Sequence, residues 1–294
     1  MRDILNILSN NIYSEICKIE SLEDIQEIRL NINKPIIILS NNKEIILNYK
    51  VLDSDIKSIM QKISNYSLYA FEEEIRQGYI TIEGGHRVGL SGQCVMERDR
   101  IKTIKNISSM NIRICKEIKG CSGHIINNII ANGQVLNTLI ISPPKCGKTT
   151  MLRDLARNIS NGISSMNLLG KRTVIIDERS EIAACFRGIS QMDVGLRTSV
   201  YDSCAKSEGM LMAIRSMAPE VIVCDEIGTY KDVDSLVLAY NSGVNIIATI
   251  HGNDIEDLYK RPVFNSLLEN KIIKRVVVLS NKKGVGTIEK ILSI

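Results

Sequence analysis

Thr138-Leu-Ile-Ile-Ser142-Pro143-Pro144-Lys145-Cys146-Gly147-Lys148-Thr149-Thr150-Met-Leu-Arg153 reads as a buried strand, a short loop and the opening of a helix. Thr138 to Ile141 are aliphatic or β-branched and carry no charge, as in a strand covered on both faces. Ser142 to Gly147 form the loop, and the helix begins at Lys148. That context gives the segment its chemistry. Backbone N–H groups at a helix N-terminus point at an anion, and the helix dipole favours negative charge there. Lys148 adds a cation for the β- and γ-phosphates of a nucleotide, and Thr149 a hydroxyl for Mg²⁺. Ser142, Pro143, Pro144, Lys145, Cys146, Gly147, Lys148, Thr149 and Thr150 are therefore the candidate binding residues for ATP and Mg²⁺. The spacing follows G-x-x-x-x-G-K-[ST], except that Ser142 stands in place of the first glycine. Lys145 also occupies a place where glycine often eases the backbone. A left-handed lysine costs roughly 1 kcal/mol, so a loop that is strained or differently shaped, with weakened nucleotide affinity and slow turnover, is expected.

Downstream, from about residue 121, apolar strands alternate with helices of roughly 10–15 residues, the grammar of a parallel sheet with crossover helices. Strands are expected at 137–141, 173–177, 220–224 and 245–250, and sites in such sheets lie at the strands' C-terminal ends. Chemically loaded residues follow each of them. Val221-Ile-Val-Cys224 runs into Asp225 and Glu226. Hydrolysis of a phosphoanhydride needs one carboxylate for the metal's water shell and one group to orient or deprotonate water. Asp225 fits the first role and Glu226 the second, against the plainer reading that they cap the next helix. Thr173-Val-Ile-Ile-Asp177-Glu178-Arg179 repeats the pattern one strand earlier, so Glu178 competes with Glu226 for the water. Arg179 fits a catalytic role and a simple ion pair equally well. Asn245-Ile-Ile-Ala-Thr-Ile-His251 ends in a histidine at the same sheet edge, where it can sense the γ-phosphate by hydrogen bonding.

Upstream, the chain reads differently. Ile4, Leu5, Leu8, Ile12 and Ile16 form an amphipathic helical stripe over 1–16. Glu27 to Asn31, Pro35 to Leu39 and Glu44 to Leu47 read as a small meander, with a turn at Asn41-Asn42. Helices are expected over 53–65 and 68–76, the first capped by Asp53 or Ser54. Gly78 to Glu83 and His86 to Leu90 read as a hairpin closed by Gly84-Gly85. The reading is thus an α/β fold of two domains, a smaller α+β N-terminal domain over 1–120 and a mainly parallel-sheet domain over 121–294.

Composition narrows the function classes. The 294 residues carry 37 basic and 33 acidic side chains, a net charge of +4, too small to mark a nucleic-acid or lipid surface. Three phenylalanines and no tryptophan offer little platform for stacking bases, so no nucleic acid is expected. Eight cysteines without a C-x-x-C pair suit free thiols in a reducing compartment. No apolar run reaches the roughly 18–20 residues of a membrane span, and no signal core opens the chain, so a cytoplasmic protein without a span of its own is expected.

Taken in order, the loop 142–149, Asp177-Glu-Arg179, Asp225-Glu226 and Thr249-Ile-His251-Gly252 resemble the phosphate loop, Asp box, Walker B segment and His box of the secretion-type ATPases. Phe71-Glu-Glu-Glu-Ile-Arg-Gln-Gly78-Tyr-Ile-Thr-Ile-Glu-Gly-Gly-His86-Arg87-Val-Gly-Leu90 narrows the likeness to the sporulation stage III AA family. So do Asp177-Glu-Arg-Ser-Glu-Ile-Ala183 and Glu208-Gly-Met-Leu-Met-Ala-Ile-Arg215-Ser-Met-Ala-Pro-Glu-Val-Ile-Val223. The resemblance covers about 20 to 290. It implies a RecA-like P-loop ATPase core related to the motors of type II and type IV secretion and pilus systems. It further implies a homo-oligomer, a hexamer, docked in the mother-cell cytoplasm on membrane proteins of the same sporulation operon and powering or gating a channel. In such ATPases the N-terminal domain covers the nucleotide and contributes arginines. Arg87 and Arg113 are the corresponding candidates, against an ordinary role as surface or salt-bridging residues. An ATP-hydrolysing ring motor is the leading expectation. A nucleotide-gated assembly scaffold that hydrolyses little is the alternative, and a nucleic-acid translocase a third.

Overall fold

The computed structural model describes residues 1–64 and 71–294. They fall into two compact units, Met1–Lys116 and Glu117–Ile294.

The first unit packs helices α1 (Arg2–Ile7), α2 (Asn10–Ile16), α3 (Asp53–Ser64) and α4 (Glu72–Gln77) on an antiparallel sheet. Its strands are β1 (Ile25–Asn31), β2 (Pro35–Ser40), β3 (Lys43–Lys50), β4 (Tyr79–Ile82), β5 (His86–Glu97) and β6 (Arg100–Arg113), in the spatial order β3-β2-β1-β6-β5-β4. The meander over 27–47 is therefore half of a larger sheet. The single helix expected over 1–16 is two helices. Ser9 breaks it in an extended conformation, its hydroxyl accepting the Ile12 N–H and donating to Asp55 Oδ1 at 2.6 Å. A serine held this way caps a new helix instead of continuing the old one. The apolar stripe survives the break, since Ile4, Leu8, Ile12 and Ile16 are all buried in the unit's core. Of the helix expected over 68–76, residues 68–70 lie outside the described residues, and α4 stops at Gly78, whose φ of 82° ends the turn.

The second unit is built on a seven-stranded sheet. After α5 (Gly123–Ile129) and a small ribbon, β7 (Ile130–Ala131) with β8 (Gln134–Val135), the chain enters β9 (Thr138–Ser142) and α6 (Lys148–Asn161). There follow β10 (Thr173–Asp177), β11 (Thr198–Asp202), α7 (Lys206–Ser216), β12 (Val221–Cys224), α8 (Tyr230–Asn241) and β13 (Asn245–His251). Short helices α9 (Glu256–Tyr259) and α10 (Asn265–Glu269) lead to the hairpin β14 (Arg275–Ser280) and β15 (Thr287–Ser293). The order is β11-β10-β12-β13-β9-β14-β15, parallel throughout except for the last pair.

Alternation within each strand builds two cores. Leu139, Ile141, Val174, Ile176, Ile222, Cys224, Ile246, Ala248 and Ile250 face the layer with α7 and α8. Ile140, Ile175, Val221, Val223 and Ile247 face the layer with α5 and α6. Each fully buried aliphatic side chain contributes about 1.5–3 kcal/mol as an upper estimate. The uncharged strands are thus held from both sides, and their C-terminal ends are fixed side by side.

Candidate nucleotide site

Register places the loaded residues together. His251 lies beside Ser142 across β13 and β9, and Cys224, the last residue of β12, pairs with Ala248 of β13 and Ile176 of β10. The turns after β9, β10, β12 and β13 therefore emerge at one edge of the sheet.

The phosphate loop leaves β9 at Ser142, which is strand and fully buried. Lys145 has a φ of 60° and Gly147 a φ of 84°, so the left-handed lysine anticipated from the sequence is present. Gly147 needs its missing side chain, because a Cβ there would lie 3.0 Å from Val285 Cγ1 in the β14–β15 turn. The same turn is pinned to the loop by the Gly286 N–H donating to the Cys146 carbonyl at 3.1 Å. Cys146 is buried, and its thiol reaches the Pro144 carbonyl at 3.6 Å. From Lys148 the chain runs helical to Asn161, ended by Gly162 with a φ of 86°.

Lys148 is buried, and burial pushes its ammonium below the usual lysine range while Asp225 and Glu226 pull it back up. Its Nζ donates to the Ser142 carbonyl at 3.2 Å and the Pro143 carbonyl at 3.3 Å, and meets His251 Nδ1 at 3.0 Å. On its other face, His251 Nε2 lies 2.8 Å from Glu226 Oε1. Arg179 Nη1 lies 2.9 Å from Glu226 Oε2, so the arginine is ion-paired to this carboxylate. Lys148, His251, Glu226 and Arg179 thus form one continuous line of polar contacts.

Asp225 stands beside that line. Its Oδ2 accepts from the Thr149 hydroxyl at 3.0 Å, and its Oδ1 from the Thr249 hydroxyl. Neither acidic residue caps the following helix. Thr229 and Asp232 do so reciprocally, Thr229 accepting the Asp232 N–H at 3.2 Å and Asp232 accepting the Thr229 N–H at 3.0 Å.

The second acidic cluster divides its labour. Asp177 is buried and accepts the N–H groups of Glu181, Ile182 and Ala183 at 2.8, 2.9 and 2.9 Å, folding its own loop back on itself. Burial nevertheless pushes its carboxyl up to about 6. Glu178 is ion-paired to Lys206, the first residue of α7. The two clusters share one cleft lined by Asp177, Glu178, Arg179, Glu181, Lys206, Asp225 and Glu226.

Two side chains had no role in the sequence reading, Thr249 although it stands in the segment 249–252 and Lys206 altogether. Thr249 sits in an apolar strand where threonine reads as an ordinary strand former, and Lys206 had no motif to mark it. Thr150 is half-buried on the first turn of α6, its carbonyl accepting from the Cys121 thiol at 3.6 Å. Arg87 and Arg113 lie in the first unit as direct cross-strand partners on β5 and β6, with Arg87 stacked 4.6 Å over the Tyr79 ring.

These residues fit a nucleotide with Mg²⁺. The hydroxyl of Thr149 already faces the Asp225 carboxylate, and the buried Lys148 ammonium rests on carbonyls that an anion would replace. Among the described residues, no group of three or more His, Cys, Asp or Glu is placed to hold a metal ion by itself.

A family model described as "Sporulation stage III, protein AA" matches residues 1–293. The chain belongs to that family. Stage III sporulation protein AA of Bacillus subtilis (strain 168) is 44% identical over 294 residues, covering 99% of this chain and 94% of that protein. Among solved structures, the pilus retraction motor PilT with bound ADP superposes with a TM-score of 0.59 at 14% identity, over 91% of this chain and 76% of that one. The ATPase DotB of Legionella pneumophila gives 0.58 at 14% identity, over 86% and 72%. The family member thus has the fold of the secretion ATPases, a RecA-like core preceded by an N-terminal domain. Among the described residues, no helix is long and apolar enough to cross a membrane.

Proposed function

We propose that this chain is an ATPase whose site lies at the strand ends of the second unit, hydrolysing ATP to ADP and phosphate. The observation that carries the reading is the Thr149–Asp225 contact at 3.0 Å, which joins the phosphate loop to the acidic strand end where a metal's water shell would sit. Bound Mg²⁺ would neutralise charge on the β- and γ-phosphates. The chain's own groups do the rest. Loop and α6 N–H groups cradle the phosphates, and Lys148 exchanges its carbonyl partners for phosphate oxygens. Glu226 takes the proton of the attacking water, a step in which general bases contribute about 10²–10⁴-fold. His251, released from Lys148, is left to report the γ-phosphate to Glu226. Glu178, tied to Lys206, is the weaker candidate for the base.

The wider reading is a ring motor, a homo-hexamer in the mother-cell cytoplasm, peripheral to the membrane through membrane proteins of its sporulation operon. In it Arg87 and Arg113 of the first unit are the candidate phosphate or trans-acting contacts. The related motors support this reading by fold alone. A scaffold that binds ATP but hydrolyses little is the second reading, favoured by the left-handed Lys145 in the loop.

Equilibrium binding of a fluorescent ATP analogue with Mg²⁺ tests the site. Lys148→Ala is expected to weaken affinity by about 10–100-fold, as loss of a charge-assisted contact does, while Glu226→Gln binds as the wild type does. Equal affinity in wild type and Lys148→Ala would refute the assignment.

A further inference from the structure

Thr249 is fully buried on β13, two residues before His251, and no phosphate-handling task falls to it directly. It nevertheless holds three consecutive residues of the neighbouring strand end. Its hydroxyl donates to Asp225 Oδ1 and accepts the Glu226 N–H at 2.9 Å. Its carbonyl accepts the Ile227 N–H at 2.8 Å. The hydrogen-bond roles are forced. A carboxylate can only accept and an amide N–H can only donate, so the single hydroxyl proton goes to Asp225 and a lone pair receives Glu226.

Glu226 needs that support, because it has a φ of 49°, a conformation costly for any residue with a Cβ. From this left-handed residue the carboxylate reaches His251 at 2.8 Å and Arg179 at 2.9 Å. Asp225 needs it for another reason. Its Oδ2 accepts from Thr149, a hydroxyl that would be taken up in holding Mg²⁺ with the nucleotide, whereas its Oδ1 contact with Thr249 would stay outside that exchange.

We propose that Thr249 is the positioning residue of the site, one hydroxyl that orients the metal-side carboxylate of Asp225 and the water-side backbone of Glu226 together. The proposal rests on the ATPase reading above. Partners of this kind, one shell behind a metal or a base, are worth about 10–100-fold in affinity or activity when removed.

The test compares Thr249→Val, which keeps shape and strand preference but lacks the hydroxyl, with Thr249→Ser, which keeps the hydroxyl. ADP affinity is measured with Mg²⁺ and with EDTA, alongside steady-state turnover of Mg·ATP. In Thr249→Val the gain in ADP affinity brought by Mg²⁺ is expected to fall by about 10-fold or more, with affinity in EDTA within about threefold of wild type. Its kcat falls by about 10–100-fold with little change in KM, and Thr249→Ser restores both quantities. Thr249→Ala serves if the valine variant does not fold. A hydroxyl-free variant with wild-type Mg²⁺ gain overturns the assignment, as does one that loses ADP affinity equally in EDTA. If the wild type turns over no more ATP than Lys148→Ala, the ATPase reading falls, and the ADP ratio still judges Thr249. If Mg²⁺ brings the wild type no gain in ADP affinity, the Thr249 assignment falls as well.

Discussion

Glu226 sits where three local choices meet: a left-handed backbone, an imidazole at 2.8 Å and a guanidinium at 2.9 Å. Both carboxylate oxygens are engaged, so in the proposed reaction Glu226 would face its water only as these partners shift, with phosphate at Lys148 as the proposed trigger that frees His251. Glu226→Gln should therefore cut turnover by about 10²–10⁴-fold. Glu178→Gln should cost less, since that carboxylate is spoken for by Lys206. Steady-state phosphate release on the two variants decides between them, and a larger loss in Glu178→Gln would reverse the assignment. Lys145 offers a test of strain. Its side chain is exposed and its φ is 60°, so Lys145→Gly should stabilise the second unit by up to about 1 kcal/mol, read as a rise in denaturant midpoint at constant slope. A lower midpoint would mean that the freedom glycine adds to the unfolded chain, with any contact of the lysine side chain, outweighs the strain relieved.

The elements that carry the site are held by buried carboxylates outside it. On α6, Asp154 accepts from the Gly120 N–H at 3.0 Å, the Ser122 N–H at 2.8 Å and the Ser122 hydroxyl at 2.7 Å, and pairs with Arg157 at 2.6 Å. Burial alone would raise its carboxyl, but these donors outweigh it and hold the group at about 2, against an ordinary 3.8. A depressed carboxyl stabilises the fold above its unfolded value and loses that contribution as pH falls through its folded one. Asp154→Ala should thus destabilise the second unit by about 3 kcal/mol at neutral pH, with the difference shrinking between about pH 4 and pH 2. Chemical unfolding of both proteins across that range checks it, and a pH-independent difference would contradict the account. In the first unit, burial pushes His86 down to about 4, and its Nδ1 accepts the Cys115 N–H at 3.0 Å, which requires the neutral ring. Its contribution is present above the ordinary value of 6.5 and lost as pH falls toward 4, so wild type should lose more stability over that interval than His86→Gln. Parallel loss in both would deny the histidine this role. At this scale the sequence was most readable where chemistry was most uniform. Runs such as Val221–Cys224 and 173–176, free of charge, read as strands and are strands, and the acidic residues at their ends marked the candidate site. The edge strand Thr198–Asp202, half-buried along its length, has no apolar run to announce it. The break at Ser9 was hidden because the hydrophobic stripe continues through it, and its cause, Asp55, lies 46 residues away.

For the whole molecule, the two units have separate cores, one between an antiparallel sheet and its helices and two on either face of the parallel sheet. The parallel sheet's order was not readable from the strands alone, because β11 and β14 join it only through pairing with the sequence-distant β10 and β9. What the residues did announce was that four strand ends share one edge, and register confirms this for β9, β10, β12 and β13. On the proposed ring-motor reading, the chain should change its assembly with nucleotide. Light scattering of the full chain should give a single larger species with Mg·ATP and Glu226→Gln, and a shift toward smaller ones with ADP or with Lys148→Ala. An unchanged monomer in every condition would remove the ring. The central claim is narrower, and phosphate release from Mg·ATP by the purified full chain tests it most directly. The account predicts slow but measurable release that falls to background in Lys148→Ala; release at the same rate in wild type and Lys148→Ala would contradict it.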